Sequence, residues 1–122
     1  MLIDLILFSG KVYRMEALAV LEVYQAGELT VVGFGGREVL DFTSVAECRT
    51  ELQELIQEHG CRSLAIDLTG VKIVPSSRLL GMLAMIHRDG VEVHLYNASE
   101  RVHEVLKIMK LDHMLHLHDV EV

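Results

Sequence analysis

Ser76 and Ser77 stand between Pro75 and Arg78, directly ahead of an apolar run of helical period made by Leu79, Leu80, Met82, Leu83 and Ile86. Serines in that place predict the start of a helix, where a hydroxyl oxygen can accept from backbone N–H groups that have no partner within the helix. Arg78 reads either as a solvated surface residue or as a clamp for an anion such as a phosphate or an acidic side chain. Asp67 ends the apolar stretch over residues 64–68 and is a second chemistry-bearing residue, because a carboxylate at a strand exit is a common active-site position. It has no companions: the sequence shows no nucleophile elbow with Ser, His and Asp in order, no phosphate loop and no paired acids. A turn-capping role for Asp67 is therefore the expectation.

Other suggestive residues yield less. Gly33, Gly35 and Gly36 begin like a dinucleotide-binding loop, yet the third glycine of such a loop would fall at Glu38 and no helical pattern opens there. His113, His116 and His118 cluster near the end, within conceivable reach of His94 and His103. Zinc needs ligands that converge on one point, and His116 and His118 share a strand face with no other ligand type fixed nearby, so no metal site is expected. Cys48 and Cys61 are the two cysteines and lack CxxC spacing; they read as reduced core thiols. Met82, Met85 and Met109 read as core fillers or edge contacts.

The elements that must hold these residues follow from period and punctuation. Residues 19–24 and 29–34 read as a β-hairpin turning at Ala26-Gly27-Glu28. Ser44 and Glu47 form a capping box, and Val45, Cys48, Leu52, Leu55 and Ile56 continue at helical spacing until Gly60. Residues 64–68 read as a central strand covered on both faces. The serine-headed helix ends at Asp89-Gly90, and Val91, Val93 and Leu95 then alternate with Glu92, His94 and Tyr96 as in a half-exposed strand. Ser99 caps a third helix with Val102, Val105, Leu106 and Met109 inward, and residues 114–122 form a short edge strand or coil. The order implies an α/β fold: a mixed sheet with antiparallel N-terminal strands, parallel βαβ units and helices packed on it. Residues 1–15 are an N-terminal appendage or extra strand, and residues 16–122 are the domain.

Composition bounds the function. A chain of 122 residues, 51% apolar and 24% charged, is long enough to close one core. A net charge of −7 with scattered Lys and Arg excludes a phosphate-backbone binder, so nucleic acid is not expected as a partner. The opening apolar run is too short to span a bilayer, contains Asp4 and lacks a basic flank, which supports neither a signal peptide nor membrane insertion. Reduced thiols and no leader point to the cytoplasm.

Residues 64–112 resemble a STAS domain, the module of bacterial anti-sigma factor antagonists and of sulphate-transporter tails. In that family a strand ends in Asp-Leu-Ser-Gly or similar, a short apolar run follows, and Asp-Ser-Ser-Gly or Asp-Ser-Thr-Gly opens a helix. Asp67-Leu68-Thr69-Gly70 matches the first element and Pro75-Ser76-Ser77-Arg78 falls where the second belongs. The glycine turn, the strand with Val93 and Leu95, and the final helix ending at Lys110-Leu111 extend the likeness from about residue 18 to about 120.

The resemblance implies a regulatory, protein-binding module rather than an enzyme, with no cofactor. Family members of the antagonist type are phosphorylated on the first serine of the motif by a partner that is both anti-sigma factor and serine kinase. Carried over, the phosphorylation candidate is Ser76, with Ser77 as neighbour, and Pro75, Arg78 and Asp67 are candidates for contact with a partner or anion. A phosphate at a helix start brings nearly two negative charges into a contact surface, which suits a switch. Pro75 and Arg78 depart from the family's Asp and Gly: one removes a carboxylate and a backbone donor, and the other puts a cation in the first helical turn. These departures favour an unphosphorylated scaffold, either a subunit of a regulatory or lipid-transport assembly or a homodimer built on the apolar N-terminal segment; a further alternative is a binder of small anions held by Arg78 and the helix N-terminus.

Overall fold

The computed structural model describes residues 4–8, 10–35, 42–71 and 76–119. Its elements are β1 (Asp4–Phe8), β2 (Lys11–Ala17), β3 (Glu22–Gln25), β4 (Leu29–Gly33), α1 (Phe42–His59), β5 (Ser63–Asp67), α2 (Ser76–Arg88), β6 (Glu92–Tyr96), α3 (Glu100–Ile108) and β7 (His116–His118). The strands lie in sequence order in one seven-stranded sheet, antiparallel from β1 to β4 and parallel from β4 to β7. The expected mixed sheet with parallel βαβ units is what forms.

Sequential order also decides where the helices go. Right-handed crossovers that always step in the same direction put every connecting helix on the same face of the sheet. One core accordingly joins Leu52 of α1, Leu80 and Leu83 of α2 and Leu106 of α3 to Val32, Leu64, Ile66, Val93 and Leu95 of the strands. Cys48 and Cys61 are buried free thiols there, and burial, reinforced by the Glu51 carboxylate, pushes the Cys48 thiol up to about 12.

Among the described residues the opposite face carries no helix. It holds a second, smaller core of Phe8, Met15, Tyr24, Val31 and Ala65, with Tyr13 and Tyr96 packed against it. Phe8 lies on β1, five strand spacings from β6 and so about 24 Å from it in a flat sheet. The Phe8 and Tyr96 rings are nevertheless 5.2 Å apart, so the β1–β2 hairpin curls over the helix-free face. Ala65 is covered this way, and the expectation that β5 is buried on both faces holds with a hairpin on one side in place of a second helix layer.

Two element starts differ from the sequence reading. β3 begins at Glu22 rather than residue 19, because the Glu51 carboxylate accepts from the backbone of Val20 (3.0 Å) and Leu21 (2.8 Å) while Leu18 N–H donates to Leu21 O, and these bonds keep the segment out of the ladder. α1 begins at Phe42, which places Ser44 inside the first turn, where its backbone is already helical and cannot be the N-cap. The cap of α3 forms as expected, with Ser99 Oγ accepting from Val102 N–H at 3.3 Å.

Candidate functional site

α2 is the central helix of its layer, touching α1, α3 and β6. Leu79, Leu80, Met82, Leu83, Ala84 and Ile86 are all buried, while Arg78, Gly81, Met85 and Arg88 form an accessible stripe at helical spacing, with His87 partly exposed beside it. Ser76 and Ser77 are the first two residues of this helix, at the end from which the stripe starts. Pro75 lies outside the described residues.

Between α1 and α2 runs an open groove of about 470 Å³, lined by Val45, Ala46, Arg49, Arg78, Met82 and Met85. Its character is apolar with two guanidinium groups. Sequence reasoning passed over Arg49, whose signal is that it sits one residue after Cys48 and so beside the buried stripe of α1. Met85 is 55% exposed at the groove surface, whereas Met82 reaches the groove from the core, where it is otherwise buried.

Asp67 ends β5 at the same edge of the sheet, the carboxyl end, that leads into α2. Its carboxylate accepts from Thr69 N–H (3.0 Å), the Thr69 hydroxyl (2.6 Å) and the Tyr24 hydroxyl (3.1 Å). Asn97 Nδ2 donates to Thr69 Oγ1 at 3.0 Å, and Asn97 N–H donates to His118 O, so the network ties the ends of β5, β6 and β7 together. This is the turn-capping role expected for Asp67, extended across three strands. Burial first, and then the Asp67 carboxylate, push the Tyr24 phenol far above its ordinary value, so it stays a hydrogen-bond donor.

Tyr24 reaches Asp67 because of two sequence features with no obvious meaning in one dimension. The β3–β4 register slips between Val23 and Gln25, which makes Tyr24 the extra residue of a bulge, a device that re-aims a side chain. Gly33, opposite, leaves room for the ring: a Cβ there would lie 2.8 Å from Tyr24 Cζ and closer still to the hydroxyl oxygen. The glycine that resembled part of a nucleotide loop thus serves a close approach. Gly33→Ala is expected to displace the ring, break the bond to Asp67 and cost about 2 kcal/mol in urea unfolding. Tyr24→Phe, which removes only the hydroxyl, should cost about 1 kcal/mol by the same measurement.

A third constellation lies on the helix-free face at the far edge of the sheet. His94 pairs with His116 and Tyr96 with His118 in the parallel β6–β7 ladder, and Glu92 lies two residues before His94 on the same face. His94 Nδ1 is 2.8 Å from His118 Nε2, and His94 Nε2 is 2.5 Å from Glu92 Oε1. The sequence reading that His116 and His118 have no other ligand type fixed nearby is corrected by this register, which sets Glu92 and His94 beside them. His103 and His113 are not in the group. Desolvation, and then the neighbouring His94 and His116, lower the His118 pKa from its ordinary 6.5.

A mixed sheet with one helix layer, a helix headed by two serines and a turn-capping Asp at the preceding strand end are the features that define the class of fold. The STAS domain family model matches residues 21–121, and the chain belongs to that family. Its fold is shared with an anti-sigma-factor antagonist (STAS) domain protein from Planctomyces limnophilus at 22% identity and a TM-score of 0.71, over 86% of this chain and 93% of that one. The anti-sigma factor antagonist SpoIIAA in its unphosphorylated form aligns at 17% identity and a TM-score of 0.64, over 89% of this chain and 88% of its own. The Bacillus cell fate determinant SpoIIAA in the phosphorylated form aligns at 17% identity and 0.60, over 89% and 91%. No curated protein matches the sequence at a significant level. Among the described residues no helix is long and apolar enough to cross a membrane.

Proposed function

We propose that this protein is a partner-switching regulator of the anti-sigma factor antagonist kind, which docks the start of α2 and the α1–α2 groove onto a serine-kinase-type anti-sigma factor and is released by phosphorylation of Ser76. The observation that carries this reading is the position of Ser76: it is the first residue of the helix that bears an exposed stripe and lines an accessible, partly apolar groove. A phosphate added there changes the local charge by nearly two units at the end of the helix that carries Arg78, with Arg49 across the groove. Those guanidinium groups either hold the phosphate or, in its absence, meet acidic side chains of the partner. Ser77 is the alternative acceptor, and Asp67 acts by holding the strand end that leads into the helix. The reading is of a binder in the cytoplasm, not an enzyme.

The test has two parts. Intact mass and peptide mapping across residues 71–88 of protein purified from its native host should show one phosphate on Ser76. Binding of serine-kinase-type anti-sigma factors from the same host should be retained by Ser76→Ala and weakened at least tenfold by Ser76→Asp. Absence of phosphate under stress and beside those kinases, with both variants binding alike, overturns the switch. That outcome would favour the unphosphorylated scaffold or the anion binder, the readings that Pro75 and Arg78 support. A homodimer is favoured by a separate observation: Leu5 and Val12 of the β1–β2 hairpin are 70% and 67% exposed.

A further inference from the structure

We propose that Glu92, His94 and His116 form a binding site for one divalent first-row transition ion of the zinc class, with His118 orienting His94 from behind. Strand register brings the three side chains together. Directly paired residues on neighbouring strands lie about 4.8 Å apart, and residues two apart on one strand share a face. The pairing of His94 with His116, and the step from His94 back to Glu92, therefore converge three ligand-type side chains on one patch without any loop. Their donor atoms all lie within 4.8 Å of one another: Glu92 Oε1 is 2.5 Å from His94 Nε2 and 4.0 Å from His116 Nε2.

A tetrahedral ion with bonds of about 2.0–2.2 Å needs its ligand atoms about 3.3–3.6 Å apart. Opening the Glu92–His94 pair and closing the Glu92–His116 pair reaches that spacing through rotations of exposed or half-exposed side chains. The His94 and His116 rings are already stacked, with centroids 4.6 Å apart and planes 20° apart, so both imidazole edges can face the same point. Two imidazoles and a carboxylate are a donor set for zinc, copper or nickel rather than for magnesium or calcium. Three protein ligands leave a fourth position for water.

His118 supplies what ligating histidines usually require, a hydrogen-bond partner on the other ring nitrogen. His94 Nδ1 is 2.8 Å from His118 Nε2, so a proton on Nδ1 donated to His118 leaves the Nε2 lone pair free for the ion. The ion would bridge β6 to β7, a strand of only three residues, and so fasten the C-terminal edge of the sheet. This site lies on the sheet face opposite the helices and is independent of the reading of Ser76.

The test is calorimetric titration of zinc chloride into the chelator-treated full chain carrying no polyhistidine tag. One ion per chain with a dissociation constant in the micromolar range is expected. His94→Ala and His116→Ala should each weaken binding by about a hundredfold or more, and His118→Ala by roughly tenfold, while His113→Ala leaves it unchanged. Cobalt(II) in place of zinc should give the visible absorption of a tetrahedral ion, lost in His116→Ala. Circular dichroism of each variant separates loss of a ligand from loss of fold. Millimolar binding only, or equal affinity in the folded His94→Ala and His116→Ala variants, overturns the proposal.

Discussion

Leu80→Ala is expected to destabilise the protein by about 3–4 kcal/mol, read as a lowered urea midpoint at unchanged slope. Leu80 is fully buried in the middle of α2, which is itself enclosed by α1, α3 and β6, so the vacated volume has no solvent-facing side from which to collapse. The loss combines the transfer free energy of the missing carbons with the cavity left behind. The consequence reaches beyond stability, because α2 carries Ser76 at its first residue and the exposed stripe along its outer side. An unseated α2 moves both. Met85→Ala on the same helix leaves the core untouched and should change stability by less than about 0.5 kcal/mol, since Met85 is 55% exposed.

Glu51→Ala is expected to cost about 3 kcal/mol. The carboxylate accepts from Val20 N–H at 3.0 Å and Leu21 N–H at 2.8 Å, and both residues are buried, so truncation strands two backbone donors away from water. Unsatisfied buried groups of this kind cost about 1–3 kcal/mol each, and a charged acceptor makes the bonds stronger than neutral ones. Glu51→Gln keeps an oxygen acceptor and should recover most of the loss, leaving a deficit of about 1 kcal/mol. Equal losses in the two variants would show that packing of the side chain, and not acceptance from the backbone, is what matters. The segment concerned joins the N-terminal hairpin to the rest of the sheet, and hydrogen exchange at Val20 and Leu21 should rise in Glu51→Ala before exchange rises in β5.

The part of the architecture that local pattern governs was legible in the sequence. Period-two alternation at Val93 and Leu95, helical spacing at Leu79, Leu80 and Leu83, and the Ser99 cap are consequences of which residues must face the core, and each formed as expected. The N-terminal strand was legible only as an apolar run, since nothing in residues 1–15 says that Phe8 will meet Tyr96 across the sheet.

Side-chain meetings between distant segments were not legible. Glu51 satisfying the backbone of Val20 and Leu21 spans some thirty residues, and it cut short a strand that β propensity alone would have extended. Tyr24 reaching Asp67 needs a bulge in one strand and a glycine in the next, so a residue that looked like a fragment of a nucleotide loop proved to be space for a ring.

The amino-acid sequence by itself determined the alternation of strands and helices, the serine-headed helix and the turn at Asp67, because these follow from burial period, capping chemistry and turn chemistry over a few residues. Only the tertiary structure decided which face lost its helices, which residues of α2 stayed accessible, and that His94, His116 and Glu92 stand together. The reason is register: a parallel ladder fixes which side chains become neighbours, and register is set by the whole sheet rather than by any one strand.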